Sequence, residues 1–153
     1  MRTMDEQLEA TPTQPDVRVS VEVRFRPDHS QPQQLPYGRW LYQYLIRIEN
    51  HADESWQIVG REWTITDALG RVTRVAGEGV VGQAPVLAPG GVYVYDSFVT
   101  LEAAPGAMRG QYLLRDAWGK AGLAAIPEFS LVLPPEIADE HGVEEGGPGR
   151  VLN

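Results

Sequence analysis

Hydrophobic residues recur at every second position along most of this chain, which is the period of a strand with one buried face. In residues 17–26 (VRVSVEVRFR), Val17, Val19, Val21, Val23 and Phe25 share one face, while Arg18, Ser20, Glu22, Arg24 and Arg26 share the other. After the Pro- and Gln-rich PDHSQPQQLP, residues 40–49 set Trp40, Tyr42, Tyr44, Ile46 and Ile48 on one face. Residues 55–66 (SWQIVGREWTIT) change phase: Trp56 and Ile58 keep one parity, Trp63 and Ile65 the other. One extra residue repairs that mismatch, so a β-bulge is expected at Gly60, where glycine accepts the unusual dihedrals.

Residues 67–70 (DALG) read as a type I turn, with aspartate first and glycine last. Residues 71–76 are then the return strand of a hairpin. Further strands are expected over 92–101, 109–115 and 123–133, the last two separated by the turn-like DAWGK. Seven or more short strands with turn chemistry between them predict an all-β fold, an antiparallel β-sandwich.

A length of 153 residues suits one domain with its own core, expected over residues 17–133. Residues 1–16 and 134–153 are rich in Pro, Gly and acid, with too few apolar residues to offset the entropy of ordering. Both are expected to be mobile, as an N-terminal arm and an acidic C-terminal tail. The absence of cysteine excludes disulfides, thiolate metal sites and cysteine nucleophiles. The N-terminal stretch has no apolar core of a signal peptide, and no run approaches the ~18–20 apolar residues of a spanning helix. A cytoplasmic protein without a membrane partner is expected. The net charge of −8 disfavours an electrostatic grip on phosphate backbones, so nucleic acid is not an expected partner either.

The most specific chemical signature is GEGVVGQAP, residues 77–85, where Gly77, Gly79 and Gly82 match the G-x-G-x-x-G spacing of a dinucleotide site. Such a site needs a helix to begin within it, because helix amides and the helix dipole hold the pyrophosphate. Here Pro85, Pro89 and Gly90-Gly91 follow, and they forbid that helix. Glu102 falls near the place of the ribose-binding acid but cannot substitute for the missing helix. The glycines are expected to serve a bend between strands.

Other candidate chemistry is thin. His29, His51 and His141 form no metal-binding pair, and no nucleophile elbow is present. Ser97 beside Asp96 lacks a base, so no catalytic residue, metal or cofactor is expected. Asp67 is expected to bond turn amides. Arg61 shares a phase with Trp63 beyond the bulge, so its guanidinium is expected near an indole, or paired with Glu62 or Asp67, unless it clamps a ligand carboxylate or phosphate. Apolar residues also fall on both faces of 92–101: Val92, Val94 and Phe98 oppose Tyr93, Tyr95, Val99 and Leu101. Leu41 and Leu45 likewise oppose the aromatic face of 40–48. That surplus must be covered by loops, tails or another chain.

The segments YQYLIRIEN, REWTITDALGRVTRVAGEGVVGQAPVLAPGGVYVYDS, PGAMRGQY and IPEFSLVLP, in this order, strongly resemble the ApaG family over about residues 17–133. The matching positions are Arg61, Trp63, Asp67, Gly77, Gly79, Val80, Val81, Gly82, Pro85, Pro89, Gly90, Tyr95, Ser97, Gly106, Met108, Gly110, Tyr112, Pro127 and Phe129. Glu62 stands where the family often has histidine, Asp96 and Phe98 stand where threonine and glycine are usual, and Ala103-Ala104 replaces a common Thr-Pro. The resemblance implies an immunoglobulin- or fibronectin-III-like sandwich without established enzymatic activity. In eukaryotes the domain occurs in F-box proteins and the polymerase-delta-interacting protein, where it is thought to mediate protein contacts. Bacterial members are linked to cobalt tolerance and magnesium efflux, and their genes neighbour a diadenosine tetraphosphate hydrolase. Together these observations predict a non-enzymatic binding module for another protein or a second copy of itself. Its candidate binding residues are Arg61, Trp63, Asp67, Gly77, Gly79, Gly82, Tyr95 and Ser97. The alternative is a site near Gly77–Gly82 for a phosphate-rich small molecule, with Arg61, Arg71 or Arg74 facing the phosphates, or for a divalent cation.

Overall fold

The computed structural model describes residues 11–137. Its strands are β1 (Val17–Phe25), β2 (Gln31–Pro32), β3 (Tyr37–Asn50), β4 (Trp56–Thr66), β5 (Val72–Glu78), β6 (Val86–Leu87), β7 (Val92–Ala103), β8 (Gly106–Arg115) and β9 (Ala121–Leu131). Every pairing between them is antiparallel. One sheet runs β1-β3-β7, with β2 against the start of β3, and the other runs β5-β4-β8-β9, with β6 against the start of β4. The two sheets stack as the antiparallel β-sandwich that the alternation predicts, of the immunoglobulin- or fibronectin-III-like kind that the resemblance implies. Seven strands are long enough to show a period of two. β2 and β6, two residues each, lie below what periodicity can reveal.

The core is the sum of the inward faces. Trp40, Tyr42, Tyr44, Ile46 and Ile48 of β3 are all buried, and they meet Trp56, Ile58 and Trp63 of β4 and Met108, Tyr112 and Leu114 of β8. Tyr44, Trp63 and Phe129 form an aromatic triad with ring centroids 5.5–6.0 Å apart and a perpendicular Trp63–Phe129 pair. The phase change in β4 is a bulge at the expected place. Ile58 pairs with Leu114 and Gly60 with Leu113, so Val59 is the extra residue. It turns Trp56, Ile58 and Trp63 into the same core.

Two hairpin tips share one design. In DALGR the Asp67 carbonyl accepts from the Gly70 amide, Gly70 has a positive φ of 79°, and Asp67 Oδ1 accepts from the amides of Leu69 and Arg71. In DAWGK the same bonds run from Asp116 to Gly119, Trp118 and Lys120. Asp67 is therefore a turn residue, and Arg71 Nε adds an ion pair to its other oxygen at 2.7 Å.

The ends of the domain extend beyond the expected strands. Thr13 pairs with Gly122, donating to the Ala121 carbonyl and accepting from Leu123, so part of the N-terminal arm is tied to β9. Leu133 and Ile137 pack against the core. Residues 1–10 and 138–153, which contain the rest of the expected arm and tail and His141, lie outside the described residues.

Among the described residues Asn50, at the end of β3 and 1% exposed, is the buried residue with an amide or charged side chain. Its Nδ2 donates to the Glu54 and Leu87 carbonyls and its Oδ1 accepts from the Ala52 amide, while its main chain bonds Gly90 and Gly91. One side chain thus joins the β3–β4 loop to β6 and the main chain beside it to the β6–β7 loop. Nothing in the sequence pattern singled it out.

Candidate functional site

The glycine motif lies at the end of β5 and in the loop that follows. Val80 and Gln83 exchange main-chain bonds of 2.8 and 2.9 Å across Val81 and Gly82, whose φ values are 48° and 77°. Two central residues with positive φ define a type I′ hairpin turn, and glycine or asparagine is the usual occupant. Val80 points inward, fully buried, and Val81 points out, 56% exposed. The Gly79 amide donates to the Val59 carbonyl. The amides of Gly79, Val80 and Gln83 are therefore spent within the fold, and no helix opens in the motif.

Arg61 explains the first glycine. It lies opposite Gly77 in the β4–β5 ladder, and its guanidinium sits on that residue: a β-carbon at Gly77 would lie 2.8 Å from Nη1. Nη1 donates to the carbonyls of Glu78 and Gly79 at 3.0 and 3.2 Å. This corrects the expectation of a carboxylate partner. Glu62 instead accepts from Gln111, and Asp67 holds Arg71. A main-chain carbonyl also accepts from a guanidinium, and it carries no side-chain signature in a sequence.

Beside Arg61 lies a cluster of phenols on the inner face. The Tyr95 and Tyr112 hydroxyls bond to each other directly. Burial pushes the Tyr95 phenol up to about 12, the Tyr112 contact working against the rise. Burial, reinforced by Tyr95, raises Tyr112 further, and burial also raises Tyr44. The Arg61 charge opposes the rise at all three. Ser97 pairs across the ladder with Tyr44, whose ring packs on Trp63. Five of the candidate residues, Arg61, Trp63, Gly77, Tyr95 and Ser97, thus meet around one corner between β4, β5 and β7. Gly79 and Gly82 belong to the adjoining loop, and Asp67 stands apart at the hairpin tip. Asp96 is on the opposite face of β7 from Ser97 and accepts from Gln43 at 2.7 Å. His29 lies next to Asp28 and His51 next to Glu49, both on the surface. Among the described residues no three His, Asp or Glu side chains gather as a metal cage.

The surplus apolar face of β7 is exposed. Val92, Val94 and Phe98 are 42, 48 and 51% accessible, and Leu45 on neighbouring β3 is 41% accessible. They lie on the outer face of the β1-β3-β7 sheet beside a hollow of about 180 Å³ bounded by Glu22, Val23, Arg24, Gln43, Leu45 and Asp96. β7 pairs with β3 alone and β5 with β4 alone, so both strands end their sheets. A groove of about 330 Å³ separates them, lined by Ile65, Asp67, Arg71 and Thr73 on one side and Thr100, Leu101 and Glu102 on the other. Trp118, at the β8–β9 tip, is 84% exposed. The sequence could not mark it, because exposure at a turn depends on what the tip faces. No helix of the described residues is long and apolar enough to cross a membrane.

Comparison with known proteins connects this geometry to a family. The model of the ApaG domain (DUF525) matches residues 27–116, from the β1–β3 connection to the end of β8. The chain is 48% identical to Protein ApaG of Deinococcus radiodurans over 125 residues, covering 82% of this chain and 94% of that one. It is 42% identical to Protein ApaG of Pseudomonas paraeruginosa over 122 residues, covering 80% and 94%. A crystal structure of a Bordetella pertussis protein named as ApaA superposes with a TM-score of 0.73 at 39% identity, covering 81% of this chain and 99% of that one. These names carry no enzymatic activity. With the bulge at Val59–Gly60, the type I′ turn after Gly79 and the Arg61–Gly77 contact all inside the matched span, the chain belongs to the ApaG family.

Proposed function

We propose that this chain is a non-enzymatic binding module that recognises another protein through the outer face of its β1-β3-β7 sheet. The observation that carries the reading is the row of Leu45, Val92, Val94 and Phe98, exposed side by side on β3 and β7. A soluble domain seldom leaves four large apolar side chains together in water without a use for them. Aromatic and aliphatic anchors of this kind, bordered by polar residues such as Gln43, Asp96 and Arg47, make the centre of a protein interface. The family's link to cobalt tolerance and magnesium efflux fits a module that acts by contact with other proteins in those processes.

A site for a phosphate-rich ligand at Gly77–Gly82 has less support. The loop presents few free amides, and Arg61 Nη1 already serves two carbonyls.

The test uses the chain as bait in cell lysate beside the Leu45→Glu variant, with retained proteins quantified after cross-linking. Proteins held by the wild type and lost from the variant support the reading. A wild type that retains nothing, or an identical set on both baits, removes it.

A further inference from the structure

The sandwich closes on one side and stands open on the other. β1 packs against β9, so those two edges cover each other, and β9 is further blunted by Pro127 at the break in its register with β8. β5 and β7 instead face each other across the groove. Val75 marks what is uncovered there. It pairs with buried Trp63, and opposite residues of a ladder share a face, so Val75 points inward, yet it is 41% exposed. Tyr93 and Tyr95 of β7 likewise pack on the core while only partly buried.

The main chain of β7 is set to receive a further strand. The Leu41 carbonyl accepts from the Arg26 amide and the His51 amide donates to the Asp16 carbonyl, while the Asn50 amide donates to the Gly91 carbonyl. Odd residues of β3 therefore bond toward β1 and even residues toward β7, as antiparallel ladders alternate. Even residues of β3 stand opposite odd residues of β7, so Val94, Asp96 and Phe98 turn their N–H and C=O groups to the open edge. Their side chains lie on the outer face, with Arg47, Leu45 and Gln43. The strand carries no proline, glycine, lysine or arginine, and its register with β3 is unbroken from Trp40 to Glu49. Such an edge is a template for pairing. Asp96 is the one charge between Val92 and Leu101.

We propose that an extended segment of a partner protein adds to β7 and continues the β1-β3-β7 sheet, antiparallel like every other pairing, with a lysine or arginine opposite Asp96 and apolar residues opposite Val94 and Phe98. Main-chain bonds supply the affinity of such an addition, and alternate side chains supply the selection. The residues between them point inward, over Tyr95 and toward Val75. This chain itself offers no such segment. The stretches 1–10 and 138–153 are both acidic in balance, so charge sets them against Asp96. A second copy brings no cation either. Symmetric β7–β7 registers set Asp96 against itself, Val94 or Phe98. The Ala68 amide donates to the Ala103 carbonyl and Thr73 shares the groove with Thr100 and Leu101, so a two-fold mate's β5 sets Ala76 level with Asp96.

Edge pairing deepens the reading of the outer face as a protein-binding surface and rests on it, but it fails separately: the Leu45→Glu bait tests the face, and main-chain methylation of a probe tests the edge. The probe is a short synthetic strand with valine, lysine and valine at alternate positions and threonine between them, titrated into the whole isotope-labelled chain by NMR. Saturable binding in the millimolar range or tighter is expected, with slowed exchange of the Val94, Asp96 and Phe98 amides. A methyl group on the probe's lysine amide, which faces Asp96 across the ladder, is expected to weaken binding at least about tenfold. One on the following threonine amide, which faces away, leaves binding unchanged. Glutamate in place of the probe's lysine is expected to weaken binding at least about fivefold, and Asp96→Lys to reverse that preference, a thermal melt checking that the variant is folded. Absence of saturable binding overturns the proposal, as does indifference to both charge reversals. Equal binding of the two methylated probes also overturns it, and leaves the outer face as a docking surface without strand addition. Val94, Asp96 and Phe98 amides already slow to exchange in the chain alone overturn it too, because the chain or a second copy then fills the edge.

Discussion

Arg61 and Gly77 fit together as a side chain and its socket: the guanidinium occupies the space that a β-carbon at residue 77 would need. The spacing that looks like a phosphate cradle is the imprint of this contact and of the tight turn behind it. Two hydrogen bonds from a charged donor contribute about 1.5–3 kcal/mol each at most, and less where water competes. Arg61→Ala is expected to lower unfolding stability by about 2 kcal/mol and to speed amide exchange at Gly79 and Val80. Gly77→Ala meets only the mobile end of the Arg61 side chain and displaces it, so it is expected to cost no more than Arg61→Ala and to free the same loop amides. Urea titration with exchange mass spectrometry checks both, and an unchanged loop in Arg61→Ala removes the anchor role.

Alkaline pH tests the phenol cluster. Tyr95 and Tyr112 hold their protons more tightly when folded than the usual 10 of a tyrosine. The unfolded chain therefore releases these protons first, and stability falls as pH rises above about 10, with a slope of up to about 1.4 kcal/mol per pH unit per phenol. Below that range the contribution is fully present. Tyr112→Phe removes one ionising group, so its urea midpoint should decline less steeply between pH 10 and pH 12. Equal slopes would show that the buried phenol is not responsible.

The acid side belongs to Asp67. Burial works to raise its pKa, but the hydrogen bonds from Arg71 and the Leu69 amide outweigh it and hold the group below its ordinary value. A depressed carboxylate stabilises the fold above its unfolded pKa and loses that effect as pH falls through the folded value. Asp67→Ala should lower the melting temperature at neutral pH and show a smaller further loss on acidification than the wild type. Calorimetry at several pH values distinguishes this from a uniform shift.

Asn50 was invisible to pattern reading, yet its three side-chain bonds join the β3–β4 loop to β6. Asn50→Leu leaves two carbonyls and an amide without partners, at a cost of roughly 3 kcal/mol. Its urea midpoint should fall with little change in the slope of the transition.

What could be read in the sequence was whatever repeats or breaks a repeat. The strands follow from alternation, and the bulge from the odd separation of Ile58 and Trp63. The Asp67 turn follows from residues with a single plausible geometry. What could not be read depends on a distant main chain or on a surface's surroundings. Arg61 bonds to carbonyls, Asn50 to three segments at once, and Trp118 is distinguished only by what does not touch it.

The exposed tip at Trp118 gives the molecule a convenient handle. The turn is held by Asp116 and Gly119, and the indole contributes no hydrogen bond to it. Since the chain has no cysteine, Trp118→Cys creates a single thiol on the β8–β9 hairpin, which contains neither β3 nor β7. A fluorophore attached there would report a partner's arrival without burdening the outer face of the β1-β3-β7 sheet.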